Sequence, residues 1–339
     1  MKKGYLYIIL ATFFFSSMEI ALKISAGSYN PIQLTFLRFL IGALVLLPLA
    51  IREIRKRQIS FHIRDWKFFS LTGFICVFVS MILYQLGIVY AKASVVAVLF
   101  SCNSVFVVLF AYLLLAEKIY RHTILSILVS VAGMLVIINP AHLSGNAAGI
   151  VFSIGAAITF ALYNVIGRTK SDRYGGITLT CFSFLFGCAE MLLFIAVTHL
   201  SAVANWFTGA GFPMFVNVPV LSGIQLSSIP GLIYVGIFVT GLGYTFYFRA
   251  MEETSAATAS LVFYIKPVLA PIFAFFVLNE PITLQMAIGI LLIIIGSFIS
   301  FIPGIRLQKA NGERKSLSED MKEIESEFEA ETDETVIKP

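Results

Sequence analysis

The sequence predicts an all-α polytopic membrane protein: ten transmembrane helices, arranged as two inverted five-helix repeats around a central cavity. Three observations predict it. The 339 residues are 58% hydrophobic and only 13% charged, where soluble domains carry about 25% charged residues. The apolar residues gather into runs of about 20, the length a helix needs to cross the hydrocarbon core. The second half of the chain also echoes the first, position by position.

The runs, in order, are 5–24, 31–50, 68–89, 93–115, 121–138, 147–167, 178–198, 229–250, 257–278 and 282–302. They are continuous, not alternating, so they read as helices and not as barrel strands. Lys2 and Lys3 precede the first run, but no small-x-small site closes it, so it reads as a retained span and not a cleaved signal. Its polar residues Thr12, Ser16, Glu19 and Lys23 recur at helical spacing and share one face. Lys23 is close enough to the end to snorkel.

Basic residues set the orientation. Arg52, Arg55, Lys56, Arg57, Arg64 and Lys67 lie in the connection 51–67, and Arg168, Lys170 and Arg173 in 167–177. The alternate connections 25–30, 139–146 and 199–228 carry no charge, and Lys92 is the exception on that side. Both chain ends are therefore expected in the cytoplasm, with the protein in the cell membrane. The long 199–228 connection holds Trp206, Phe207, Phe212 and Phe215. It reads as a loop at the outer interface or a flap over a substrate entrance.

Net charge is +5, yet ten of the nineteen acidic residues lie between Glu313 and Glu334. A basic membrane body thus carries an acidic tail, 306–339, which is disordered or forms a short amphipathic helix. A capping box at Ser316 and Glu319 is the signal for such a helix, and its acidic face opposes binding to anionic lipid. Nothing points to nucleic acid. Cys76, Cys102, Cys181 and Cys188 all sit in apolar runs without metal-ligand spacing. They read as small buried hydrophobes, and no cofactor is expected.

Shifted by 163 positions, residues 83–119 overlay 246–282, matching Tyr84 with Tyr247, Phe100 with Phe263 and Glu117 with Glu280. Shared apolar composition does not explain the Glu pair. Asn103 falls opposite Lys266. Five spans per half is an odd number, so the second copy enters from the opposite side, which is the pattern of secondary transporters. The halves are 1–139 and 140–305.

These features resemble the EamA-type drug/metabolite transporter superfamily. The resemblance is carried by the duplicated spans, LTFLRFLIGALVLLP in the second span, ASVVAVLF and LLLAEKI in the first half, and SAATASLVFYIKPVLAPIFAFFVLNEPI in the second. It implies a ten-helix bundle around a cavity that moves small organic solutes such as amino acids, with export favoured over uptake. The tail and the 199–228 connection depart from the pattern.

Ionisable groups at bilayer depth are costly and mark function or a partner. Lys266 stands mid-span beside Pro267 and Pro271. These two prolines remove backbone donors and suggest a bent helix beside a wet cavity. Lys266 is therefore expected to line the pathway or to form a structural ion pair. Arg38 suits a substrate carboxylate, or pairs with Glu19. Glu19 is the candidate proton carrier. Tyr84, Asn103, Tyr163, Asn164, Tyr244 and Tyr247 complete the candidate cavity, with Thr240 on the face of Tyr244. Glu117 and Glu280 read as exposed helix-end residues, and Gly133, Gly155, Ala156, Ala157 and Gly296 as close helix contacts.

An intramembrane enzyme would need a catalytic constellation at depth. HExxH and G-x-S-x-G are absent, and His62, His122, His142 and His199 fall at span ends or in connections. The chain is therefore read as a carrier and not an enzyme, with an intramembrane enzyme or a non-transporting receptor as the alternative. Substrate and oligomeric state stay open.

Overall fold

The computed structural model describes residues 2–117, 119–138, 147–254, 256–259 and 261–299. The acidic tail lies outside these residues. Among them, nine helices are long and apolar enough to cross a membrane: α1 Lys2–Ser25, α2 Pro31–Arg57, α3 Ile63–Tyr90, α4 Ala93–Leu115, α5 Arg121–Ile138, α6 Ala147–Arg168, α7 Gly176–Thr198, α8 Leu226–Glu253 and α9 Leu261–Leu278. A shorter apolar helix, α10 Leu284–Ile299, follows. Within the described residues each expected run thus holds a helix, and the bundle is that of a multi-pass membrane protein.

Local chemistry fixes the ends. The Asn30 side chain accepts from the amides of Ile32 and Gln33 (2.9 and 3.4 Å), with Pro31 as the first helical residue, a strong N-terminal stop. Helix α2 runs past the expected 50 to Arg57, because its last turns are basic and emerge from the apolar zone. Gln58 then closes it in the left-handed region, φ 51°. At the same basic end, Asp65 accepts from the His62 amide (2.8 Å) and meets Arg173 (3.0 Å) and Lys170 (3.7 Å).

Packing repeats with a five-helix step. Helix α1 lies against α8 and α9; α6 lies against α3 and α4. Helix α2 lies against α8; α7 lies against α3. Helices α2 and α7 cross each other, as do α4 and α9, and α5 meets α10 through Gly133 and Gly289. Exchanging each helix for the one five places on leaves this set unchanged. Small residues make the approaches: a Cβ on Gly73 would stand 2.5 Å from the Gly187 nitrogen and the Ser183 carbonyl oxygen. Gly73→Ala is therefore expected to pry α3 from α7 and lower stability by about 1–3 kcal/mol, read by thermal unfolding in detergent.

Three irregularities shape the middle of the bundle. Helix α3 carries a π-helical stretch, Phe74–Ser80, and α8 carries another, Tyr234–Leu242. They lie in α3 and α8, five helices apart, and such wide turns gather at functional sites. Helix α4 breaks at Cys102. Its first half packs against both α9 and α6, its second half against α6.

The end of the bundle away from the basic residues is closely tied. The Glu280 carboxylate, just past α9, accepts from Ala93 N (2.8 Å), Ser94 N (2.9 Å) and Ser94 Oγ (2.5 Å). It caps the first turn of α4, where amides have no partner within the helix. This corrects the expectation of an exposed residue: Glu280 is 9% exposed. Its counterpart Glu117 is half-exposed and pairs with Arg168 at 2.7 Å. Lys23 donates to the carbonyls of Ile88 (2.6 Å), Val89 (3.3 Å) and Ala91 (2.7 Å), capping the end of α3.

The 199–228 connection is neither a plain loop nor detached. It contains the helix Ser201–Gly209. Phe207 stacks on Phe215 with centroids 5.1 Å apart. The segment is bound to the start of α2, because Asn30 Nδ2 donates to Met214 O (2.8 Å) and Gln33 Nε2 to Val220 O and Ser222 O (3.2 and 3.0 Å).

Candidate functional site

Three ionisable residues of the apolar runs, Glu19, Lys266 and Arg38, gather in one place. Glu19, on α1, is fully buried. Lys266, on α9, places Nζ 2.7 Å from Glu19 Oε1, and Tyr84, on α3, donates to the same oxygen at 2.5 Å. The helices meet here because α1 packs against both α9 and α3. Lys266 is 3% exposed, and its ammonium lies 5.4 Å from the centroid of Phe100. Pro267 and Pro271 lie inside α9 without interrupting it.

Arg38 does not pair with Glu19, contrary to one of the two readings from sequence. Lys266 and Tyr84 hold the carboxylate instead, and the guanidinium points at sulfur: Nη1 lies 3.7 Å from Met18 Sδ and Nη2 3.4 Å from Met81 Sδ. Its carbon sits 4.4 Å over the Phe39 ring. Arg38 is 1% exposed. Several buried polar atoms of this region, Arg38 Nε, Glu19 Oε2, Ser16 Oγ and both amide atoms of Gln85, have no hydrogen-bond partner among the described residues.

Beside these groups is a cavity of about 30 Å³, room for one or two waters. Its polar wall is Arg38, Lys266, Thr240 and Tyr244, and its apolar wall includes Phe39, Phe100, Phe160 and Phe263, with Met18 and Met81. Helices of both halves contribute. Thr240 belongs to the π-helical stretch of α8 and donates to Val235 O at 2.7 Å. The Tyr244 ring meets those of Phe15 and Phe184 edge-on, at 5.2 and 5.3 Å.

The remaining sequence candidates lie near or apart. Tyr84 is one shell behind the cavity, bonded to Glu19 and packed on Phe100 at 4.6 Å. Tyr247 is a turn beyond Tyr244, its ring 5.2 Å from that of Phe263. Tyr163 is buried on α6 beside Thr180 and Ser183 of α7, and Asn164 is half-buried next to it. Asn103 donates to Phe100 O at 2.9 Å, so it serves the break in α4.

Sequence reasoning missed the aromatic and thioether wall, which looks like any apolar core. It also missed Gln85 and Glu190, which the ionisable or amide character of a mid-span residue would have flagged. Glu190 Oε1 accepts from Ser70 Oγ at 2.6 Å beside an open groove with Trp66 and Lys67, away from the central cavity. Among the described residues no cluster of His, Cys, Asp and Glu could hold a metal.

Comparison with known proteins agrees with this architecture. The EamA-like transporter family matches residues 2–139 and again 147–302. A protein of Clostridium kluyveri named "Uncharacterized transporter" is 40% identical over 309 residues, covering 89% of this chain and 94% of that one. One of the same name from Archaeoglobus fulgidus is 26% identical, covering 88% and 98%. A solved crystal structure superposes with TM-score 0.60 over 91% of this chain and 99% of its own, at 17% identity, a likeness of fold alone.

Proposed function

Because this chain belongs to the EamA-like transporter family, and is thus a membrane transporter, we propose that it carries a small organic solute through the central cavity by alternating access. The carrier consists of two inverted five-helix repeats, 1–139 and 140–305, with α10 as the tenth span. The observation that carries this reading is the cluster of Glu19, Lys266, Tyr84 and Arg38 at mid-bundle, where helices of both halves cross. Inverted-repeat carriers hold their substrates near the midplane between repeats.

The basic end faces the cytoplasm, which puts both chain ends there and the tied α4–α9 end outside, in the cell membrane. Solutes of the amino-acid type suit a site that pairs charges with aromatic rings. Export is supported by the family resemblance alone. Glu19 is the proton carrier: a buried carboxylate facing one ammonium exchanges its proton and its partner together.

Reconstitution in liposomes tests the reading. Flux of an amino-acid panel is expected to saturate with concentration; unsaturable flux would indicate a channel, and none with any solute a receptor or enzyme. In the same vesicles, Glu19→Gln is expected to abolish acceleration by a pH gradient. Acceleration that persists in the variant removes the proton from Glu19.

A further inference from the structure

We propose that Arg38 is the docking point for a solute carboxylate, and that the solute is a monoanionic head on an apolar body. This deepens the carrier reading above and rests on it. The charges at mid-bundle do not balance. Glu19 is spent on Lys266 and Tyr84. Arg38 is as deeply buried as its neighbours, yet among the described residues its guanidinium contacts are two thioether sulfurs and one ring. Sulfur is a weak acceptor, and Nε has no partner among the described residues. A buried cation left so is costly to the fold. It is retained where it has work to do.

The missing partner has a definite chemistry. A planar fork of donors matches a carboxylate with two parallel hydrogen bonds. One unbalanced positive charge calls for one negative charge, so a dianion such as a phosphate monoester fits poorly. The lining also includes rings, among them Phe100, Phe160 and Phe263, and these suit an aromatic or aliphatic body. The cavity as it stands, about 30 Å³, has the size of a head group. Met18 and Met81, unbranched and adaptable, are the side chains that yield to admit the rest. They are also the two that Arg38 touches, so the solute replaces poor acceptors with a good one.

The test uses three probes sharing one ring and chain: 3-phenylpropionate, 3-phenylpropylamine and 3-phenylpropanol. Thermal unfolding of the full chain in lipid nanodiscs is followed against probe concentration. The carboxylate is expected to raise the midpoint saturably, and the amine and alcohol to leave it unmoved. In Arg38→Met the carboxylate effect requires at least tenfold more probe, while the probe-free midpoint equals or exceeds that of the parent. A structural arginine would instead lower the probe-free midpoint, which overturns the proposal. So does a carboxylate without effect on the parent, or an amine or alcohol equal to it. Should Arg38→Met not fold, Arg38→Lys decides: the point charge is expected to weaken carboxylate binding, and unchanged affinity refutes the assignment. Saturable flux of some solute that ignores Arg38 would remove this inference and leave the carrier reading standing; absence of saturable flux for every solute would remove the latter.

Discussion

Lys266→Met is expected to destabilise the protein by about 3–5 kcal/mol and to abolish saturable flux. Removing one partner of a buried ion pair strands the other, and the cost is that of the stranded charge. Glu19 would keep only the Tyr84 hydroxyl, with its second oxygen already unpartnered. The double variant Glu19→Gln/Lys266→Met removes both members of the pair, so neither is left stranded by the loss of the other. It is expected to recover stability to within about 1 kcal/mol of the parent, with flux still absent. A double-mutant cycle on unfolding midpoints, run beside liposome flux, separates the two effects. Single variants whose costs simply add would show that the 2.7 Å pair contributes nothing as a pair. A double variant that regained flux would make the pair scaffolding.

Glu280→Ala is expected to cost about 2–4 kcal/mol, because a charged acceptor of three hydrogen bonds is lost and two helix-end amides are left bare. The effect should appear locally as faster hydrogen exchange at Ala93 and Ser94. Glu117→Ala, at the corresponding place in the other half, removes an ion pair whose members are both about half-exposed. It is expected to cost less than about 1 kcal/mol. Equal costs would contradict the burial difference between the two residues. The comparison is informative because the sequence presents them as twins, and only the fold makes one of them a cap.

That contrast shows what the sequence made legible. Lys266, Glu19 and Arg38 were visible because an ionisable group in an apolar run has few explanations. Their mutual arrangement was not. Glu19 can reach either cation by composition, and the choice of Lys266 depends on α9 packing against α1. Ten apolar runs told the helices, since crossing a bilayer fixes length and composition together. Helix ends were less clear where basic residues let a helix run on into the interface, as in α2. Phe100, Phe160 and Met81 are indistinguishable in sequence from ordinary core residues, although they wall the cavity. Glu280 and Ser94 lie too far apart in the chain for any local pattern to join them. The π-helical stretches left no trace, because the residues that form them are as apolar as their neighbours.

Those stretches have a mechanical consequence. A wide turn holds one residue more than its surroundings need. Such a turn can migrate along a helix step by step, each hydrogen bond being exchanged for the next and none lost outright. Every step turns the residues it passes by about 100° and advances them by about 1.5 Å. Tyr84 follows the wide turn of α3, while Thr240 lies inside that of α8 and Tyr244 just after it. Their hydroxyls can therefore be swung toward or away from the interior like the hands of a dial, while both helices remain whole within the lipid.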